Sequence, residues 1–160
     1  MDRIGNFPEY LLVEHDRRHR RNRNMGQLRS GDGLEFLSFH RNYLQKALEW
    51  YNSQGLNQRS VAAWSSIPSE ITRHPGWTRA LQNAENQIMR NLSSFNSADE
   101  LGRFLQTTSL HNAVHVIGSE VYNDTDFARI SLSPRSTLFY NWHGLIDNWW
   151  RQLENQVIGD

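Results

Sequence analysis

Seven histidines occur in the 160 residues, and two pairs share one spacing: His15 and His19 in HDRRH, His111 and His115 in HNAVH. A separation of four puts both side chains on one helix face, about one turn apart. Two imidazoles so placed can ligate one metal ion. Each pair is followed by one further helical histidine, His40 after 21 residues and His143 after 28. The chain thus carries one pattern twice: a pair on one helix and a third histidine on the next. Two three-histidine sites in one bundle are the natural reading. HNAVH is flanked by Leu110, Val114 and Ile117, so its face points inward. A buried histidine pair without a partner costs desolvation, which a metal would offset. HDRRH lies within HDRRHRRNRN, where an exposed basic face competes with ligation. His74, in TRHPGW, fits neither set and reads as a loop histidine.

Ligand chemistry narrows the ion. All-imidazole sites suit copper, zinc and nickel, whereas non-haem iron normally adds a carboxylate. The chain has no cysteine. That excludes thiolate zinc, iron–sulfur and blue-copper sites, a cysteine nucleophile and a disulfide framework. Two adjacent three-imidazole sites match a dinuclear copper centre that binds dioxygen between the metals. Seventeen basic and 17 acidic residues give zero formal charge, against an overall basic nucleic-acid binder. The arginine run from Arg17 to Arg29 reads as a solvated face, or as a feature favouring substrates with a carboxylate or phosphate. Mean hydropathy is −0.72, and no apolar run approaches the roughly 18 residues of a membrane span. The opening MDRIGNFPEYLLVEHD has no apolar stretch behind a basic start, so no signal peptide is expected. These features predict a soluble, cytoplasmic protein with one domain over residues 1–160, and no nucleic-acid or membrane partner.

Helices must position the histidines. Tyr10, Leu11, Val13, His15 and His19 have helical spacing from Pro8 to about Met25, with Pro8 suited to a first turn. Gly31 and Gly33 flank Asp32 in a turn. A second helix is predicted from about Leu34 to Ser53 through Phe36, Phe39, Tyr43, Leu44, Ala47, Leu48 and Tyr51. Residues 56–77 read as mostly loop with one short helical turn. A third helix is predicted from Thr78 to about Leu92. Ser97 and Glu100 form a capping-box pattern that opens a fourth helix, running to about Tyr122. NDTDFARISLSP is a loop, and a last helix begins near Ser136. The expected fold is all-α: an antiparallel bundle of four core helices holding a dinuclear metal site, plus one further helix.

The stretch HNAVHVIGSEVYNDTDFARISLSPRSTLFYNWHGLIDNWW resembles the second copper-site signature of tyrosinases, catechol oxidases and haemocyanins, the type-3 copper family. The matching positions are His111, His115, Ser133, Pro134, Phe139, Tyr140, His143, Ile146, Asp147 and Trp150. GLEFLSFHRNYLQKALEWY resembles a tyrosinase first-site segment, with His40 and Arg41 in place. Tyrosinases usually place a further ligand nine residues later, where this chain has Glu49. Arthropod haemocyanins and phenoloxidases use an upstream histidine pair instead, and His15, His19 and His40 fit that arrangement. Glu49 remains a second-choice ligand. The resemblance does not cover residues 56–97.

The resemblance implies a small copper oxidase or monooxygenase with two copper ions and dioxygen as co-substrate. Its substrate would be a phenol, catechol or o-aminophenol, and its setting secondary metabolism. A dioxygen or copper carrier without turnover, or another metal in the same ligands, are the alternatives. By the resemblance, Asp147 orients a ligand imidazole from one turn beyond His143. Asn112 matches a position that, with a glutamate, holds a water for deprotonating a phenol; Glu100 is the nearest upstream acid. Trp142 packs beside the metal or joins the core.

Overall fold

Apolar residues three and four apart define most elements of the computed structural model, which describes residues 3–21 and 28–159, with side chains to 156. All regular structure among the described residues is helical. α1 (Glu9–Arg21) and α2 (Asp32–Ser53) carry the first histidines. The expected continuation of the first helix to Met25 lies outside the described residues. Residues 56–77 contain a 3-10 turn (Gln58–Val61) and the four-residue α3 (Ser69–Thr72). α4 (Arg79–Arg90) starts where the Thr78 side chain accepts from the Leu81 amide at 3.2 Å.

One expected helix is two. α5 (Ala98–Thr107) ends and α6 (Leu110–Val121) begins around Ser109, whose φ is 65°. The run Thr107-Thr108-Ser109 supplies three hydroxyls, which compete for backbone groups that a helix needs. The Thr108 hydroxyl donates to the Phe104 carbonyl at 2.6 Å. Apolar residues continue past this break, but the step from Leu105 to Leu110 is five residues rather than three or four, so the apolar stripe changes face there. The start of α5 follows half of the capping-box expectation: the Ser97 hydroxyl accepts from Glu100 N at 3.1 Å, while the Glu100 carboxylate accepts from Asn96 N, one residue before the cap, at 2.8 Å. α7 (Thr137–Gly159) completes the chain.

α2 packs on α5 through glycine. A Cβ on Gly33 would lie 2.0 Å from the Asp99 carbonyl oxygen, and one on Gly102 would lie 2.1 Å from that of Gly33. Only backbone fits there. Asp99 then caps α2 from outside its own helix, accepting from Gly31 N at 3.0 Å and Leu34 N at 2.9 Å. α2 meets α7 through polar contacts. Arg41 Nε donates to Asp147 at 2.6 Å, and its guanidinium lies 3.6 Å from the Trp150 ring centre.

The core falls into two apolar clusters. The larger gathers Phe36, Leu101, Leu105, Leu110, Val114, Phe127, Trp142 and Ile146. The smaller gathers Ile4, Leu11, Tyr43, Ala47, Phe139 and Tyr140. No helix of the described residues is long and apolar enough to cross a membrane.

Candidate metal centre

The six helical histidines fold into two groups of three, His15–His19–His40 and His111–His115–His143. Within each group, one ligand nitrogen per ring lies within 4.8 Å of the others. Helical spacing brings each pair to one face, and the next helix of the pattern supplies the third ring.

In the second group the three Nε2 atoms form a near-equilateral triangle. His111–His115 is 3.2 Å, His111–His143 3.3 Å and His115–His143 3.3 Å. His115 Nδ1–H donates to the Phe127 carbonyl at 2.8 Å. That bond leaves its Nε2 as a bare lone pair aimed at its neighbours. A metal about 2.0–2.1 Å from three tetrahedrally placed nitrogens holds them about 3.3 Å apart, so the triangle fits such an ion. Ser133 braces the same corner: its hydroxyl donates to the Phe127 carbonyl at 3.1 Å and lies 3.3 Å from His115 Nδ1. Trp142 is fully buried in the core, and its indole N–H donates to the His111 carbonyl at 3.2 Å.

In the first group, His15 Nδ1–H donates to the Ile130 carbonyl at 3.0 Å, and His40 Nδ1–H to the Phe36 carbonyl at 2.8 Å. His40 Nε2 is buried with no hydrogen-bond partner among the described residues. A buried acceptor left bare is costly unless a cation meets it. His15 and His19 bring their Nε2 atoms to 3.0 Å. Arg18 approaches His19 Nδ1 at 3.4 Å while its guanidinium pairs with Glu35 across α1 and α2.

The two groups share walls. His40 and His143 stack with centroids 4.3 Å apart and planes 4° apart. Phe139 lies 5.2 Å from His15 and 4.4 Å from His143; Phe36 lies 4.7 Å from His40 and 4.9 Å from His111. Burial dominates the electrostatics. It pushes His15, His40, His111 and His143 well below the ordinary histidine value, with neighbouring rings adding to the effect. His19 falls to about 3, through burial first and then the Arg18 charge. His115 falls to about 4, where burial outweighs the opposing Phe127 hydrogen bond. All six rings are therefore neutral at pH 7, the form that ligates metals.

A cavity of about 250 Å³ opens onto both groups. His15, His19, His111, His115 and His143 line it, with Phe36 between them. Asn112 lies on its wall. Glu100 does not join Asn112 there; its carboxylate is occupied at the start of α5. Asp147 corrects another expectation. It accepts from Arg41 and, at 3.0 Å, from Arg151, and none of its hydrogen bonds reaches a histidine. Two guanidiniums outcompete the neutral ring one turn away. Glu49 is exposed and stands outside both groups. His74 pairs with Glu120 at 2.9 Å. Of the arginine run, Arg18 alone lines the metal cavity, Arg20 pairs with Asp16 on α1, and Arg23 lies outside the described residues.

The groups that hold the rings were invisible to motif reading. The carbonyls of Phe36, Phe127 and Ile130 are backbone atoms and carry no residue signature. Arg18 had a signal, since it adjoins His19, and Phe36 lies one turn before His40. Comparison with known proteins adds no relative: no protein-family model, curated protein or solved structure matches the chain.

Proposed function

We propose that the protein is a small type-3 copper oxidase or monooxygenase acting on a phenol, catechol or o-aminophenol. One observation carries the reading: two buried three-imidazole groups stand wall to wall around one cavity. The donor set is nitrogen only, which favours copper over iron, calcium or magnesium. His15, His19 and His40 would hold one ion, and His111, His115 and His143 the other. A bound copper pair would supply dioxygen binding and accept electrons from the aromatic substrate.

The chain's own part follows from its geometry. The carbonyls of Ile130, Phe36 and Phe127 lock His15, His40 and His115 so that Nε2 faces inward. Such locking lowers the reorganisation needed at the metal. Phe36 and Phe139 exclude water between the groups. The cavity admits one aromatic ring, being smaller than the roughly 300–1,000 Å³ of drug-sized pockets. Asn112, and Gln106 beside it, offer amide groups for a substrate hydroxyl or its water.

Reconstitution with copper tests the reading. Two coppers per chain are expected, with a near-ultraviolet absorption band that appears under oxygen and steady oxidation of catechol. A loaded protein with the band and no turnover would be a carrier. Two zinc ions in the purified protein and no copper-dependent band would refute the copper reading.

A further inference from the structure

The loop that spans the two histidine groups also carries a cation at their common mouth. Phe127 gives its carbonyl to His115, and Ile130 gives its carbonyl to His15. Ala128 and Arg129 lie between these anchors, one residue from each, and both line the cavity. The backbone of Arg129 is held on both sides: its amide donates to the Asp126 carbonyl at 2.9 Å, and its carbonyl accepts from Ser133 N at 2.7 Å. Asp126 in turn is fixed by Arg135 at 2.6 Å. The loop is therefore a braced platform, and it places the exposed Arg129 on the cavity lining, between the two residues whose carbonyls hold the two groups.

Charge around the cavity is one-sided. Arg18 and Arg129 line it, with the amides of Gln106 and Asn112, and no carboxylate among the described residues does. Arg18 is spoken for by Glu35, which lies outside the cavity. Arg129 is exposed and has no ion pair or side-chain hydrogen bond among the described residues. A planar guanidinium without a partner, at the rim of a partly apolar cavity, matches a planar carboxylate with two parallel hydrogen bonds.

We infer that Arg129 is a carboxylate subsite, and that the substrate is a single-ring aromatic acid. Its hydroxyl end faces the histidine groups and its carboxylate pairs with Arg129 at the mouth. The word substrate rests on the copper-oxidase reading; the carboxylate subsite does not. The small cavity limits the ligand to one ring, and one unpaired cation on the lining among the described residues favours one anionic group on it.

Calorimetry on the copper-reconstituted full chain tests this, with benzoate and benzamide as probes. Benzoate is expected to bind about tenfold more tightly than benzamide, with a preference that shrinks as salt rises. Arg129→Gln should erase the preference, and Arg129→Lys should restore part of it. Arg129 is exposed, so both variants are expected to keep the far-ultraviolet circular dichroism of the parent. Equal binding of the two probes would overturn the subsite. So would a preference that survives in Arg129→Gln, because benzoate would then be binding the metals instead. Turnover gives the second readout. The ratio of kcat/KM for 3,4-dihydroxybenzoate over 3,4-dihydroxybenzamide should exceed one and fall about tenfold in Arg129→Gln. Oxidation of both at equal efficiency keeps the copper reading and removes the subsite. Arg129-dependent benzoate binding with oxidation of neither compound keeps the subsite and removes the copper-oxidase reading.

Discussion

At the second triad, three Nε2 atoms stand 3.2–3.3 Å apart, with Ser133 and Phe127 bracing one ring and Trp142 tying down the backbone of another. At the first, a guanidinium faces His19 at 3.4 Å. For His19 to ligate through Nε2, its Nδ1 must carry a proton, and that proton would then meet the Arg18 donors. The supports also differ. α6 and α7 are buried in the larger apolar cluster, whereas α1 is held largely by polar ties: Tyr43 to the Leu11 carbonyl, Lys46 to Glu14, and Arg18 to Glu35. Equal ligand counts therefore do not make equal sites. The second triad could take an ion with its rings as they stand; the first would have to shift a proton and a cation to receive one.

The coarsest test strips both metals. Removing them with a chelator should cost about 4 kcal/mol per site at a thousandfold excess of metal over Kd, hence about 8 kcal/mol for the pair, or roughly 20 °C in Tm. The metal-free protein should also be acid-sensitive. Each of the six triad histidines sits below the unfolded value of 6.5, so their contribution to stability is complete above about pH 6.5. It falls as pH drops toward the folded values, about 4 for His115 and about 3 for His19, because the unfolded chain takes up the protons first. Chemical denaturation between pH 7 and 4, with and without metal, reads this directly.

Single ligands separate the triads. His143→Ala should leave one metal per chain and weaken its own site roughly a hundredfold or more, given about 10–16 kcal/mol shared among four ligands. His19→Ala should weaken the first site less, because Arg18 already opposes that ligand. Equal losses in competitive metal titration would break the comparison. Gly102→Ala acts on both sites alike. Its methyl would meet the Gly33 carbonyl at 2.1 Å, so urea unfolding should show a loss of about 2–3 kcal/mol. Glu35→Gln is the mildest change. It leaves the Arg18 charge uncompensated beside His19, and should weaken the first site about fivefold while sparing the second.

The histidine sets were legible because ligation demands a spacing, and a spacing survives in one dimension. His15 with His19, and His111 with His115, needed only the helix repeat. The break at Ser109 was easily passed over because apolar residues continue on both sides, yet it left a trace: Leu105 to Leu110 is a five-residue step between two four-residue steps, Leu101 to Leu105 and Leu110 to Val114. Asp147 misled for the opposite reason. Its nearest histidine is close in the chain, but its strongest partner, Arg41, is 106 residues away. The residues of the copper-site resemblance then acquire roles in packing. Arg41 from the first segment meets Asp147 and Trp150 from the second, and Tyr140 donates to the Pro134 carbonyl at 2.6 Å. All-helical architecture was foreseeable from periodicity; the carbonyls that aim the rings were not, because every residue has one.

The parallel stack of His40 on His143 has a consequence for filling the two sites. Each ring belongs to a different triad, and they lie 4.3 Å apart with planes 4° apart. An ion that immobilises His143 thereby restricts His40, so part of the ordering entropy for the second ion is already spent. Loading is then expected to be cooperative even if the two sites differ in intrinsic affinity. In a metal titration followed by native mass spectrometry, the one-metal species should stay scarcer than independent sites with those affinities would allow.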